Sequence, residues 1–357
     1  MVPAVDSGRR GPLDPAALSA TLARRGDAAP ATGSTRRPTT SVTHRFTLLT
    51  VNGHPDDETV STGATLARYA HEGHRVVCVT ATRGELGQIV DPALATPANL
   101  GDVGGLRSAE LARALSALGP IEQRFLDYRD SGTAGSSSNA DRDAFWGADE
   151  EEATARLVRI VREVRPDVIV APNEYGMDGH PDHMRASRIA RLAFERAGDP
   201  EAFPEQLSDG LLPWSPAKLY EPVLAFGRRE KLARARASGG LPETLRLLVR
   251  AGLRWRPNRE RARQRAAAAQ RAPTTLVAVG PYIERRQAAL AEYRSQIAPR
   301  SELLAISPAE LRVLHPTEDF ALVAARIPVE LPEDDLFAGF EPRGDRMQAP
   351  ASLRAAG

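Results

Sequence analysis

The sequence predicts an α/β protein built on a doubly wound, mostly parallel sheet with helices on both faces. Three observations carry that expectation. Short apolar runs alternate with segments of helical periodicity, the order expected of βαβ units. One of those runs, Val-Ile-Val-Ala171 after Asp167, has no polar break, as a strand buried on both faces requires. Hydrophobic residues make up 42% of the 357 and charged residues 26%, values that allow a substantial core.

The elements follow in order. Phe46-Thr-Leu-Leu-Thr-Val51 reads as the first strand, and the spacing from Thr59 to His71, closed by Gly73, as the first helix. Arg75-Val-Val-Cys-Val-Thr80 is the second strand. A helix over Leu106–Leu118 stops at Gly119-Pro120. A strand near Gln123–Leu126 leads into the Gly/Ser-rich loop Ser131–Asn139. Asp149-Glu-Glu-Glu152 has the form of a capping box, and the helix it opens puts Ala153, Leu157, Ile160, Val161 and Val164 on one face. Pro166 ends that helix and the strand at 167–171 follows. A helix from about His183 to Ala197 then leads to a strand at Leu219–Phe226. The succession is Rossmann-like and contains no internal repeat.

Residues 1–43 hold five Pro, paired arginines and no aromatic side chain, so a disordered arm is expected there. One domain is expected over 44–340, followed by a flexible tail at 341–357. No apolar run approaches the ~18 residues of a membrane helix. The first residues lack a charged stretch followed by an apolar one, so no secretory signal is expected and a cytoplasmic location is. Cys78 is the only cysteine, which excludes an internal disulfide framework and a Cys-based zinc ribbon. A net charge of +1 argues against general nucleic-acid binding. All basic residues except Lys218 and Lys231 are Arg, a compositional bias that by itself implies no ligand.

Two clusters carry chemistry. His54-Pro-Asp-Asp-Glu58 follows the first strand, and His180-Pro-Asp-His183 follows the strand at 167–171. In an open parallel sheet, ligands bind beyond the carboxyl ends of the strands, so both clusters lie on the functional edge. Taken singly, each has a plain structural reading: an Asp helix cap beside a core histidine, and a Pro-containing surface loop. Together they point to a metal. Catalytic zinc takes three His or carboxylate ligands and leaves a position for water. His54 and Asp57, three apart across a strand-to-helix turn, can face one point, and one His of the second cluster completes the set. Asp56 and the other His then stand beside the metal as base and charge stabiliser for hydrolysis.

These clusters, with Gly63-Ala-Thr-Leu66, Thr80-Ala-Thr-Arg-Gly-Glu-Leu-Gly87 and Arg107-Ser-Ala-Glu110, occur in one order between Phe46 and Ala197. That set resembles the LmbE-like (PIG-L) deacetylase family. More loosely, Pro281-Tyr-Ile-Glu-Arg-Arg286 through Gln296 is similar to the family's C-terminal helix. The resemblance implies one Zn2+ per chain on His54, Asp57 and His183, and hydrolysis of an N-acyl amide on a small molecule. N-deacetylation of an amino-sugar conjugate is the leading expectation. An amidase acting on a thiol conjugate is the alternative. A non-catalytic binding protein is disfavoured, because every ligand position and the base position are filled. The resemblance further implies that Asp56 is the general base, that His180 stabilises the tetrahedral intermediate and that Asp182 orients His180. Arg107 matches a substrate-contacting arginine; an ordinary pair with Glu110 is equally open. Some members carry Tyr two residues before the first His of the second motif. This chain has Asp178 there and Tyr175 three residues earlier, which leaves open whether Tyr175 substitutes. Tyr293 stands where the family often has His before Ser-Gln.

Residues 228–271 hold fourteen Arg or Lys against three Glu. Thr244–Trp255 has the look of a basic amphipathic helix, which fits an anionic lipid surface or a lid packed on the core. The lid is the favoured expectation, with Leu245, Leu247, Leu248 and Trp255 partly buried. The oligomeric state is not legible.

Overall fold

The computed structural model describes residues 46–223, 271–299 and 301–341, and its centre is a seven-stranded sheet. Strands β1 (Thr47–Asn52), β2 (Arg75–Thr82), β3 (Ile121–Tyr128), β4 (Val168–Val170) and β5 (Lys218–Val223) are parallel. Two further strands, β6 (Thr275–Ala278) and β7 (Thr317–Ala325), add an antiparallel margin, in the order β3-β2-β1-β4-β5-β7-β6.

Alternation along the strands decides the two faces. Leu48, Val76, Cys78, Val168 and Val170 enter one core, while Leu49, Val77, Val79 and Ile169 enter the other. The first core is closed by α1 (Asp57–His71), α2 (Val103–Leu118) and, from late in the chain, α5 (Ile283–Glu292); Leu66, Leu111 and Leu290 lie in it. The second is closed by α3 (Glu150–Val164) and α4 (Pro181–Arg196), through Leu157, Val161, Ile189 and Phe194. Each such side chain contributes roughly 1.5–3 kcal/mol by leaving water, which favours an unbroken apolar run in a doubly covered strand.

The expected elements from Phe46 to Val223 are present, with altered ends. The second helix starts at Val103, because Asp102 caps it by accepting from the Gly105 amide at 2.8 Å. The capping box at 149–152 is half formed. Asp149 accepts from the Glu152 amide at 2.9 Å, but the Glu152 carboxylate turns to Tyr128 and Arg156. Strands β6 and β7 have no counterpart in the sequence reading. Only Phe320 and Ala321 of β7 are buried, so the segment lacks a period-2 signature. The N-terminal arm, Leu245, Leu247, Leu248 and Trp255, and the tail beyond 341 lie outside the described residues.

Two consequences of this topology position the site. First, β2 and β3 lie on one side of β1, and β4 and β5 on the other. The chain therefore switches winding direction between β1 and β4, and the loops leaving those strands diverge there. Second, the late elements grip α1 from behind. Glu318 of β7 accepts from the amides of Ala64 (3.1 Å) and Thr65 (2.8 Å), and Arg286 of α5 donates to the carbonyls of Thr59 (3.2 Å) and Val60 (2.9 Å).

Candidate metal centre

The chain leaves β1 through Gly53. A Cβ there would lie 2.6 Å from Cδ2 of His183 and 3.3 Å from Oδ2 of Asp57, so the close approach of the two loops needs a residue without one. Asp57 opens α1, and its Oδ2 accepts from the amides of Gly53 (3.0 Å) and His54 (2.8 Å). Between them Asp56 adopts φ 112°, ψ −28°, a left-handed conformation costing a non-glycine residue about 1–3 kcal/mol. Surrounding bonds hold it there. Its amide donates to Glu58 Oε2 (3.1 Å), and its carbonyl accepts from the amides of Thr59 and Val60.

From the other side of the switch point, β4 delivers the second loop. His180 caps α4: its Nδ1 accepts from the Asp182 amide at 3.2 Å, and Pro181 takes the first helical position, where no amide proton is needed. His183, one turn in, points back across the crevice at β1.

Three atoms converge there. His54 Nδ1 and His183 Nε2 are 3.0 Å apart, His183 Nε2 and Asp57 Oδ2 3.1 Å, and His54 Nδ1 and Asp57 Oδ2 3.7 Å. Their partners assign the protons. His183 Nδ1 faces two acceptors, the Gly176 carbonyl (3.1 Å) and Asp178 Oδ1 (3.0 Å), so it carries the ring proton. His54 Nε2 faces Asp182 Oδ2 at 3.1 Å and carries the other. Each ring therefore turns a lone pair inward, toward a carboxylate oxygen and the other ring's lone pair. Such a triangle is relieved by positive charge at its centre, carried either by a proton on His183 Nε2 donated to Asp57 or by a metal ion. Tetrahedral ligands about 2.0–2.1 Å from zinc stand about 3.3 Å apart, close to the three spacings found. The outward N–H groups bonded to a carboxylate or a carbonyl are the support that metal-bound histidines regularly have. The donor set fits a divalent ion.

The electrostatics agree. Burial opposes charge on His183, yet Asp57 and Asp178 outweigh it and push its pKa well above the ordinary value. His54 is raised against burial by Asp182 and Asp57. Burial pulls Asp57 upward, but the two histidines hold it below the usual carboxylate range. The raised histidines and the ionised Asp57 beside them make a centre that draws positive charge. Asp56, beside them and partly exposed, is pushed up to about 7 by burial, with Arg107 acting the other way. Burial and the neighbouring His54 and His183 lower His180 to about 4, so it is neutral at ordinary pH.

Two sequence expectations are changed by the geometry, and a third residue is located by it. Asp182 meets His180 through its backbone amide rather than through its carboxylate. The carboxylate bonds to His54 Nε2 and the Ser131 amide (3.0 Å). Arg107 does not pair with Glu110, which accepts instead from the amide (2.8 Å) and hydroxyl of Ser295. Arg107 is buried and donates to the carbonyls of Gly84 (3.0 Å) and Pro55 (2.7 Å), with Asp56 Oδ1 at 3.4 Å, so it braces the Asp56 loop. A Cβ on Gly84 would fall 2.1 Å from its Nη1. Tyr175 is half-buried in the second loop, its hydroxyl 3.1 Å from where a Gly179 Cβ would sit, next to His180.

Sequence reasoning assigned no role to Asp130, Asp178 or Glu58. Asp130 follows β3 on the same sheet edge, its Oδ1 3.8 Å from His54 Nε2, and that position after a strand was the available signal. Together with His54, His180 and Asp182 it forms a second cluster of potential metal ligands.

A doubly wound sheet whose switch point holds two histidines, a carboxylate and a free carboxylate beside them has the construction of a metal-assisted hydrolase. Comparison with known proteins is narrower. Residues 49–194 match the family described as PIG-L, GlcNAc-PI de-N-acetylase. A 1D-myo-inositol 2-acetamido-2-deoxy-alpha-D-glucopyranoside deacetylase of Thermobifida fusca is 38% identical over 303 residues, 82% of this chain and 98% of that protein. The enzyme of the same name from Thermobispora bispora is 50% identical over 179 residues, 48% of this chain and 57% of the relative, little more than half its length. The chain belongs to the PIG-L family. Among solved structures, the N,N'-diacetylchitobiose deacetylase of Pyrococcus horikoshii superposes with a TM-score of 0.51 at 20% identity, covering 78% of this chain and 83% of that one, a likeness of fold. Among the described residues, no helix is long and apolar enough to cross a membrane.

Proposed function

We propose that this chain is a zinc-dependent N-deacetylase acting on an N-acetylglucosaminyl inositol, with His54, Asp57 and His183 as the metal ligands. The observation that carries the reading is the convergence of His54 Nδ1, His183 Nε2 and Asp57 Oδ2 at spacings of 3.0, 3.1 and 3.7 Å, a donor set suited to a divalent ion. The substrate is taken from the shared name of the two relatives, one aligned along 98% of its length. When bound, the divalent ion acidifies a water and polarises the amide carbonyl.

The chain's own groups do the rest. Asp56 takes the proton from the attacking water, and a carboxyl pushed up to about 7 holds that proton long enough to return it to the leaving amine nitrogen. His180, neutral and with Nδ1 occupied by the Asp182 amide, presents its Nε2–H to the carbonyl oxygen as negative charge develops there. Tyr175, half-buried in the same loop beside Gly179, is the candidate for a second donor. Arg107 serves by bracing Pro55 and Asp56, and any contact with substrate is made from that braced position.

The test is acetate release. Zinc-loaded full-length protein should liberate one acetate per free amine from an N-acetylglucosaminyl inositol, faster than from free N-acetylglucosamine. A cleaved thiol conjugate without acetate would identify an amidase instead. Absence of hydrolysis on all three substrates by a metal-replete chain would overturn the reading.

A further inference from the structure

The base of the proposed site is held from the far end of the chain. Glu58 is fully buried, and its two oxygens face different ways. Oε2 accepts from the amide of Asp56, the residue kept at a positive φ, while Oε1 accepts from the hydroxyls of Thr59 and Tyr293. Tyr293 follows α5, 235 residues away, and is itself fully buried. The residues after it also bind loops at the site edge. Arg294 pairs with Asp91, Ser295 accepts from the Val90 amide at 2.8 Å, and Gln296 donates to the Gln88 carbonyl at 3.3 Å.

We infer that Tyr293 is a positioning residue for Asp56, acting through Glu58. Asp56 pays conformational strain for its aim, so its backbone returns to an ordinary conformation unless its amide is held. Among the described residues the only side chain bonded to that amide is Glu58, and a carboxylate with one oxygen committed to Asp56 keeps its plane only if the other oxygen is also fixed. Thr59 lies on the same turn and moves with it. Tyr293 supplies an anchor from a different layer. This inference rests on Asp56 being the base, and it adds a role for the end of α5 that neither the metal ligands nor the donor set require.

The experiment compares two buried Tyr–Glu pairs. Tyr293→Phe deletes the hydroxyl at the site; Tyr220→Phe deletes the one that donates to Glu333 at 2.5 Å, in a pair outside the proposed machinery. In the zinc-loaded full chain, Tyr293→Phe is expected to lower kcat ~10-fold or more with KM and metal content unchanged, the scale for a displaced catalytic group. Tyr220→Phe should leave kcat as it is. Glu58→Gln should lose a similar factor, and the double variant with Tyr293→Phe no more than the larger single loss, since the two act as one unit. Rates are taken per bound metal, so a partly unfolded variant is still informative. A Tyr293→Phe enzyme within 2-fold of the parent, or one losing no more than Tyr220→Phe, overturns the inference while leaving the base assignment intact. Asp56→Asn, run in parallel, separates the cases: full activity there would remove the base, and this inference with it.

Discussion

The two histidines that face one another across the crevice are supported in different ways. His54 leaves β1 on a loop closed by its own hydrogen bonds, and its outward nitrogen meets Asp182, a carboxylate with none of its side chain exposed. His183 sits on α4, and its outward nitrogen is shared between the Gly176 carbonyl and Asp178, whose side chain is 65% exposed. A buried partner holds its histidine through an unscreened charge, whereas an exposed one works against water. His54 is thus backed by a buried charge, and His183 by one open to water.

That contrast can be broken by removing the ligands themselves. His183→Ala should lose most of the bound metal while the fold persists, because its ring sits at the sheet edge and its loss opens no core. Metal analysis beside circular dichroism checks this, and unchanged occupancy would overturn the ligand set. The next largest effect is kinetic. Asp56→Asn should keep the metal and lose ~10²-fold or more in kcat, the scale of a positioned base, whereas Asp57→Asn should lose the metal. Asp56 must be ionised to act, so the rate should rise with pH through its pKa. Burial sets that pKa at about 7, and a nearby divalent cation favours the ionised form, so the acid limb of kcat is expected at or below pH 7. An acid limb well above 7 in the metal-loaded enzyme would exclude Asp56.

Smaller effects sharpen the comparison. Asp182→Asn should weaken metal affinity ~10–100-fold, as loss of a carboxylate behind a metal-bound histidine does. Asp178→Asn should cost only a few-fold on that scale, since the Gly176 carbonyl remains on the same nitrogen. Competition with a chelator measures both. Equal losses would mean that exposure does not separate the two loops.

Much of this was readable beforehand. Strand burial on both faces was visible in the run before Ala171, because successive side chains of a doubly covered strand enter one core and then the other. The meeting of the two His-Pro-Asp motifs followed from both coming after parallel strands. Other relations were hidden. Asp182 is two residues from His180 in sequence, and the family resemblance implied that it orients that ring. The carboxylate instead reaches His54, 128 residues away. Arg107 and Glu110 have helical spacing for an ion pair, yet Arg107 is drawn to the carbonyls of Gly84 and Pro55, and Glu110 to the amide and hydroxyl of Ser295. The antiparallel margin was missed because β7 is half-covered and shows little alternation.

By itself the sequence determined the alternation of strands and helices, the two cores and the residue types that gather at the crevice. These depend on local period and chemistry, which a chain carries whatever its neighbours. Only the tertiary structure decided which nitrogen of each histidine turns inward, which carboxylate backs which ring, and that Tyr293 bonds to Glu58 behind the base. Those choices depend on partners brought together over more than a hundred residues. Most buried donors and acceptors find a partner, and no local pattern records which partner satisfies which.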